Sequence, residues 1–316
     1  MSPFAADPAL RVLVTAPRAC LEIQRYRDEL GAAGCQVDMI ESPERLDEAG
    51  LLPVIGGYDA IVCGDDSLTA EVLATARRLR VIAKWGTGID SIDVEAARRL
   101  GIAVCNTPGA FSEPVADSVI GYIALFARQL DRMTDGMRAG AWHRVPLRAL
   151  NECTLGIVGL GDIGSAVARR AAAAGMRILA CDVRPITSAN ASVVPLEQLL
   201  VESDFVTLHA DLRPYNRHLI NAARLALMKP TAVLINTARG PLVDEGALID
   251  ALEQKRLGGA ALDVFEQEPL PANSRLRCLT NVCLAPHNSN SSRAAAERVH
   301  ASTIRSVLLA LEKVTR

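Results

Sequence analysis

Short aliphatic runs recur along the chain, separated by longer stretches in which apolar residues return every three or four positions. The runs are uninterrupted rather than alternating, the pattern of strands buried on both faces of a parallel sheet. In the first third, residues 11–15, 59–62, 81–83 and 102–105 are predicted as strands with amphipathic helices between them. A second series begins after Cys153, with strands predicted at 154–159, 177–182, 205–210, 232–237, 259–264 and 281–286. Between the two series, "NTPGAFSEPVADS" leads into an apolar-striped helix predicted over 119–130. The last segment, 292–313, is helical in pattern and is expected to cross back to the first series. The fold class is therefore α/β with two doubly wound domains, drawn at 1–105 plus 291–316 and at 106–290.

Composition narrows the class of protein. At 316 residues, two domains with self-sufficient cores are expected. Aromatics make up only 3% of the chain, so the cores must be aliphatic. A formal charge of -2, with scattered arginines, offers no field for nucleic acid or an anionic membrane, and neither partner is expected. No stretch approaches the ~18–20 apolar residues of a membrane span, and the first residues lack a basic region followed by an apolar run, so a cytoplasmic location is expected. The eight cysteines are widely spaced, without a C-x-x-C, and are read as reduced core residues rather than metal ligands or disulfides.

Candidate chemistry begins at "VGLGDIG". Gly159, Gly161 and Gly164 form G-x-G-x-x-G directly after a predicted strand and at the start of an Ala-rich helix. Gly159 allows the tight turn, Gly161 lets backbone approach a pyrophosphate, and Gly164 permits close helix-on-strand packing. Asp162 and Ile163 lie inside the loop and count with it as cofactor-binding candidates, Asp162 being expected to point to solvent. Asp182 ends the next strand, where a carboxylate accepts hydrogen bonds from ribose hydroxyls and repels a 2'-phosphate. These positions point to a Rossmann domain binding NAD, with nearby Arg184 softening discrimination against NADP.

Three further strand ends carry polar residues that an aliphatic sheet does not need: Arg239 in "INTARG", Asp263 and Glu268 in "ALDVFEQEP", and His287 in "APHNSNSS". In open α/β sheets, ligands bind outside the carboxyl ends of the strands. With "KWGTGID" at 84–90, these motifs, in order and spacing, resemble the D-isomer-specific 2-hydroxyacid dehydrogenases over nearly the whole chain, most closely the branch containing 3-phosphoglycerate dehydrogenase. The resemblance implies an NAD-dependent oxidoreductase moving a hydride between nicotinamide and C2 of a small D-2-hydroxy or 2-oxo acid. It also implies a flavodoxin-like substrate domain, to which the C-terminal helix returns.

The roles carry over by position. Arg239 resembles the arginine that grips the substrate carboxylate and polarises the C2 oxygen, a task suited to a fork of fixed donors. His287 resembles the general acid/base, and Glu268 the carboxylate that orients the imidazole and stabilises its charged form. Glu266 competes for that last role, but the residue before Pro269 fits the family better. Asp263 resembles the partner of the nicotinamide carboxamide, while Thr87, Ala210, Thr237 and Ala238 would line the cofactor. Gly86, Thr87 and Gly88 resemble the loop whose N–H groups bind the substrate carboxylate, with Lys84 nearby as a cation. The region 106–130 matches the one through which the family forms homodimers, so that Trp142 or Arg144 would reach the neighbouring subunit; Arg144 reads equally as a surface residue.

The chain also departs from the phosphoglycerate pattern. Cys63 stands where phosphoglycerate-specific relatives place an arginine, and the acidic pair Asp65-Asp66 follows it. Asp211 replaces a common proline. No regulatory extension of the kind found in many phosphoglycerate dehydrogenases is seen, so control by serine is not expected. The alternatives are a hydroxypyruvate, glyoxylate or other 2-oxo acid reductase and, from a different class, an NAD-sensing binding protein like the C-terminal binding protein corepressors.

Overall fold

A computed structural model describes residues 10–42 and 45–312; the first residues and Lys313, on which two of the expectations above fall, lie outside them. The chain divides into two compact units, Met1–Ala110 with Ser292–Arg316, and Phe111–Ser291.

The first unit holds β1 (Leu10–Val14), β2 (Cys35–Met39), β3 (Ala60–Cys63), β4 (Val81–Lys84) and β5 (Ala103–Cys105), in the order β2-β1-β3-β4-β5. Every pairing is parallel, the flavodoxin-like arrangement. Val12, Leu13, Val14, Ile61, Val62 and Ile82 are wholly buried, which is why their runs are apolar on both faces. The second strand was not anticipated. It lies at the sheet edge and reads "CQVDM", with only its first residue buried and Asp38 paired to Arg11, so it lacks the aliphatic run that marks its neighbours. The C-terminal helix Arg293–Glu312 belongs to this unit and buries Ala295, Val299, His300, Thr303, Ile304, Val307 and Leu311 along one stripe. Its start is capped by the Ser292 hydroxyl, which accepts from the Ala295 N–H at 3.4 Å.

The second unit holds β6 (Thr154–Val158), β7 (Arg177–Cys181), β8 (Ser192–Val193), β9 (Phe205–Leu208), β10 (Val233–Asn236), β11 (Gly259–Leu262) and β12 (Val282–Leu284). Their order is β12-β11-β10-β9-β6-β7-β8, again with every pairing parallel. This is the doubly wound nucleotide-binding order with one strand added at the edge, and it reverses between β6 and β9.

The helix expected over 119–130 is longer and broken. It spans Ser112–Arg128, stops where Gln129 takes φ 46°, and is followed by a second helix, Leu130–Arg138. Its start was obscured by Ser112, Glu113 and Pro114, which suit a first helical turn. Val115, Ala116, Val119 and Ile123 are buried along it, while Glu113 and Asp117 pair with Arg169 and Arg170 of the helix Asp162–Ala173. All eight cysteines are free thiols, but Cys278 is exposed in a short 3-10 turn, so it is no core residue. Among the described residues, no helix is long and apolar enough to cross a membrane.

Candidate active site

The glycine loop follows β6 and takes the shape its residues require. Gly159 has φ +92°, and a Cβ there would lie 2.7 Å from the His209 carbonyl, so a side chain is excluded twice over. A Cβ on Gly164 would lie 2.1 Å from the Gly159 carbonyl oxygen, where the helix Asp162–Ala173 crosses the strand end. Around Gly161, by contrast, the only near atom is the Arg184 guanidinium at 3.9 Å, which leaves its backbone open to a ligand. Asp162 is exposed in the first turn of the helix, Ile163 is half-buried beside it, and Ala210 follows β9 across the loop.

Asp182 ends β7 and closes the loop, accepting from the Leu160 N–H at 2.9 Å and from the Arg184 N–H at 2.9 Å. Burial raises its carboxyl, but the Arg184 guanidinium and these two N–H groups outweigh it and hold the group below its ordinary value. The carboxylate is therefore charged and fixed at the edge where a ribose would sit. The Thr237 hydroxyl, buried beyond β10, has no hydrogen-bond partner among the described residues. An open glycine backbone at a helix N-terminus, a fixed carboxylate and an orphaned hydroxyl fit a dinucleotide.

Three neighbouring strands, β10, β11 and β12, lead into the segments that carry Arg239, Glu268 and His287. Asn236, only 1% exposed, accepts from the Ala238 N–H and donates to the Arg239 carbonyl, folding the turn that bears Arg239. The Arg239 guanidinium donates back to the Ala238 carbonyl at 2.8 Å. At Gly240 a Cβ would lie 1.9 Å from the Phe265 carbonyl, so this turn is pressed against the loop leaving β11. In that loop, one Glu268 oxygen accepts from the Phe265 N–H and the other lies 2.8 Å from the His287 Nδ1. A carboxylate only accepts, so Nδ1 carries the proton and, in the neutral ring, Nε2 carries the lone pair.

Glu268 and not Glu266 therefore partners His287. Glu266 instead meets the His218 Nε2 at 2.5 Å, while its N–H donates to Glu245. His218, Glu245 and Asn236 had no signal in the sequence, because their roles depend on which loops meet.

Asp263 is tied to the turn that carries the histidine. It is 1% exposed, and its two oxygens accept from the Asn288 and Ser289 N–H groups at 2.8 and 2.9 Å. Its carbonyl accepts from the His287 N–H. Each oxygen thus accepts one backbone N–H, and the side chain staples the turn that carries the histidine.

In the first unit, residues 85–88 follow β4 and are tied to the segment after β5. The Asn106 amide donates to the Thr87 carbonyl, the Thr87 hydroxyl donates to the Thr107 carbonyl, and the Gly86 carbonyl accepts from the Thr107 N–H. Gly86 has φ 144°, which suits glycine alone. Lys84 does not stand as an available cation. It is 4% exposed, and its ammonium donates to the Gly64 carbonyl and to Asp65, each at 2.5 Å. Asp66 is buried and accepts from the Thr15 hydroxyl and from the Leu46 and Gly64 N–H groups, stapling the ends of β1 and β3. Trp142 and Arg144 lie exposed.

Comparison with known proteins agrees with this geometry. Residues 120–289 match the family model for the D-isomer specific 2-hydroxyacid dehydrogenase, NAD binding domain. A glyoxylate reductase of Korarchaeum cryptofilum is 43% identical over 244 residues, 74% of each chain. A D-3-phosphoglycerate dehydrogenase of Synechocystis is 40% identical over 288 residues, 87% of this chain but 51% of the relative, so the chain spans about half of that protein. The crystal structure of a D-lactate dehydrogenase from Aquifex aeolicus, complexed with NAD and lactic acid, superposes with a TM-score of 0.85 at 30% identity over 96% of this chain and 95% of that one. The chain belongs to the D-isomer specific 2-hydroxyacid dehydrogenases, NAD-dependent oxidoreductases acting on the CH–OH group.

Proposed function

We propose that the protein reduces a short, unphosphorylated 2-oxo acid such as hydroxypyruvate or glyoxylate to the D-2-hydroxy acid. The observation that carries this reading is the Lys84–Asp65 pair. The cation nearest the substrate loop is neutralised, and Cys63, its neighbour in the sheet register, brings none. A phosphorylated tail would meet Asp65 without the Lys84 charge to offset it, which selects against it. Arg18, whose guanidinium lies 5.9 Å from the Trp85 ring centroid, is the cation a phosphorylated acid would use, so 3-phosphohydroxypyruvate is the competing substrate.

Gly86, Thr87 and Gly88 hold the substrate carboxylate through backbone N–H groups, and Arg239 grips the carboxylate and the C2 oxygen. Bound NADH supplies the hydride that C2 takes up. His287, protonated at both nitrogens, gives its Nε2 proton to the oxygen as charge develops there, and Glu268 holds the imidazole in register and stabilises its charged form. In the reverse direction the neutral imidazole removes the hydroxyl proton. Asp182 favours NAD over NADP.

The working unit is a homodimer. The helix Leu130–Arg138 buries none of its residues within the chain, while Leu130, Met133 and Met137 stand exposed along it, with Trp142 and Val145 beyond. A panel of glyoxylate, hydroxypyruvate and 3-phosphohydroxypyruvate with NADH tests the substrate reading. Asp65→Asn should raise kcat/KM for the phosphorylated acid relative to the others by about tenfold, since it releases Lys84. A wild-type preference for the phosphorylated acid would overturn it.

A further inference from the structure

Directly before the substrate loop stands Trp85, 7% exposed, whose indole Nε1–H donates to the His300 Nδ1 at 3.2 Å. His300 lies on the C-terminal helix, 4% exposed, and the same Nδ1 is 3.0 Å from the hydroxyl of wholly buried Tyr26 on the helix Ile23–Gly31. The Trp85 and Tyr26 rings meet the imidazole edge-on, at centroid distances of 5.4 and 5.7 Å. An indole N–H only donates, so Nδ1 must keep its lone pair; the tyrosine hydroxyl therefore donates too, and the imidazole is neutral with its proton on Nε2. The charges that face it are Arg25, itself held by Glu29 and Glu297, and Glu22. None of these groups takes part in the proton or hydride chemistry.

We infer that His300 is a positioning residue for the substrate side of the reaction: by accepting the Trp85 N–H it fixes the indole under the Arg18 guanidinium and from which the Gly86–Thr87–Gly88 turn departs. The lever is short. The Trp85 N–H of the backbone donates to the Cys63 carbonyl at 2.9 Å, so the residue's main chain is tied to β3 while its ring is tied to the C-terminal helix. Loss of the ring's bond to His300 removes one of the contacts that hold the residue adjoining Gly86, and loosens the turn that follows. The inference rests on the reading that this turn holds the substrate carboxylate.

The test measures hydroxypyruvate reduction, NADH affinity and Trp85 emission in the full-length protein, the emission being the difference between the unmutated and Trp85→Phe spectra. His300→Leu should shift that emission to the red and raise KM for hydroxypyruvate about tenfold, with kcat and NADH affinity changed less than about twofold. His300→Asn, whose amide oxygen can accept where Nδ1 does, should restore both readouts. Trp85→Phe, which keeps an aromatic ring but removes the N–H, should raise KM to a similar extent, and the double variant with His300→Leu should be no worse. An unchanged KM in either single variant, independent addition of the two effects, or equal loss in the asparagine variant overturns the proposal. If the unmutated protein turns over no 2-oxo acid, the functional reading fails first, and the proposal with it.

Discussion

His287 stands at φ 48°, in the left-handed region that side chains other than glycine seldom occupy, and the structure holds it there from both sides. Asp263 takes the N–H groups of the two residues that follow, and Glu268 takes the ring. His287→Ala should lower kcat by ~10²–10⁴-fold while leaving NADH affinity within about twofold; full activity in that variant would remove the histidine from the acid–base role. Asp263→Ala strips the acceptor from the part-buried Asn288 N–H and the buried Ser289 N–H, each bond to a charged group being worth ~1.5–3 kcal/mol. It should lower both the melting temperature and kcat, and a variant that loses neither would show that the staple is unnecessary. Arg239 and His287 drew notice in the sequence because each stands just past an apolar strand, whereas Glu268, six residues beyond β11, was chosen over Glu266 through the family resemblance. The spent charge of Lys84 and the engaged oxygens of Asp263 were not legible, because each depends on a partner remote in sequence: Asp65 in one case, the turn after β12 in the other.

Strands were readable where their residues form an unbroken apolar run, which includes the less buried β5 and β12. The strands β3, β4, β9, β10 and β11 are buried along their whole length and appear as unbroken aliphatic runs. The edge strands β2 and β8 were missed, the latter being two exposed residues. The same burial logic explains the break at Gln129. The helix before it has a buried stripe and the helix after it has none, although Leu130, Met133 and Met137 recur on it at helical spacing. A stripe buried by none of the described residues is what the proposed homodimer would cover. Met137→Glu should therefore convert a dimer into a monomer in sedimentation measurements, and a wild-type protein that sediments as a monomer would contradict the dimer proposal. At the interface between turns, Gly240→Ala places a Cβ within 1.9 Å of the Phe265 carbonyl, so the loop bearing Glu268 must shift. A drop in melting temperature with impaired turnover is expected, whereas normal values for both would mean the loops do not need that contact.

For the molecule as a whole, acid should be the destabilising condition. Burial pushes the imidazoles of His209 and His300, one in each unit, below their ordinary 6.5, so the unfolded chain binds protons there that the folded chain resists. That part of the stability is complete above about 6.5 and is lost as pH falls below it. Asp204 adds to the loss at lower pH. Burial would raise its carboxyl, but Arg148, the Thr154 N–H and Lys229 bring it down to about 2 from 3.8, so its contribution fades as pH drops through that interval. At ~1.4 kcal/mol per unit of separation, melting temperature should fall steadily from pH 7 to pH 3; a flat profile down to pH 4 would contradict the burial of these groups. If the strand ends of the second unit reduce a 2-oxo acid with NADH, as proposed, the direct measurement is NADH oxidation followed at 340 nm in the presence of hydroxypyruvate or glyoxylate. Saturable oxidation that collapses in His287→Ala is the predicted result; NADH binding without turnover of any 2-oxo acid would contradict it.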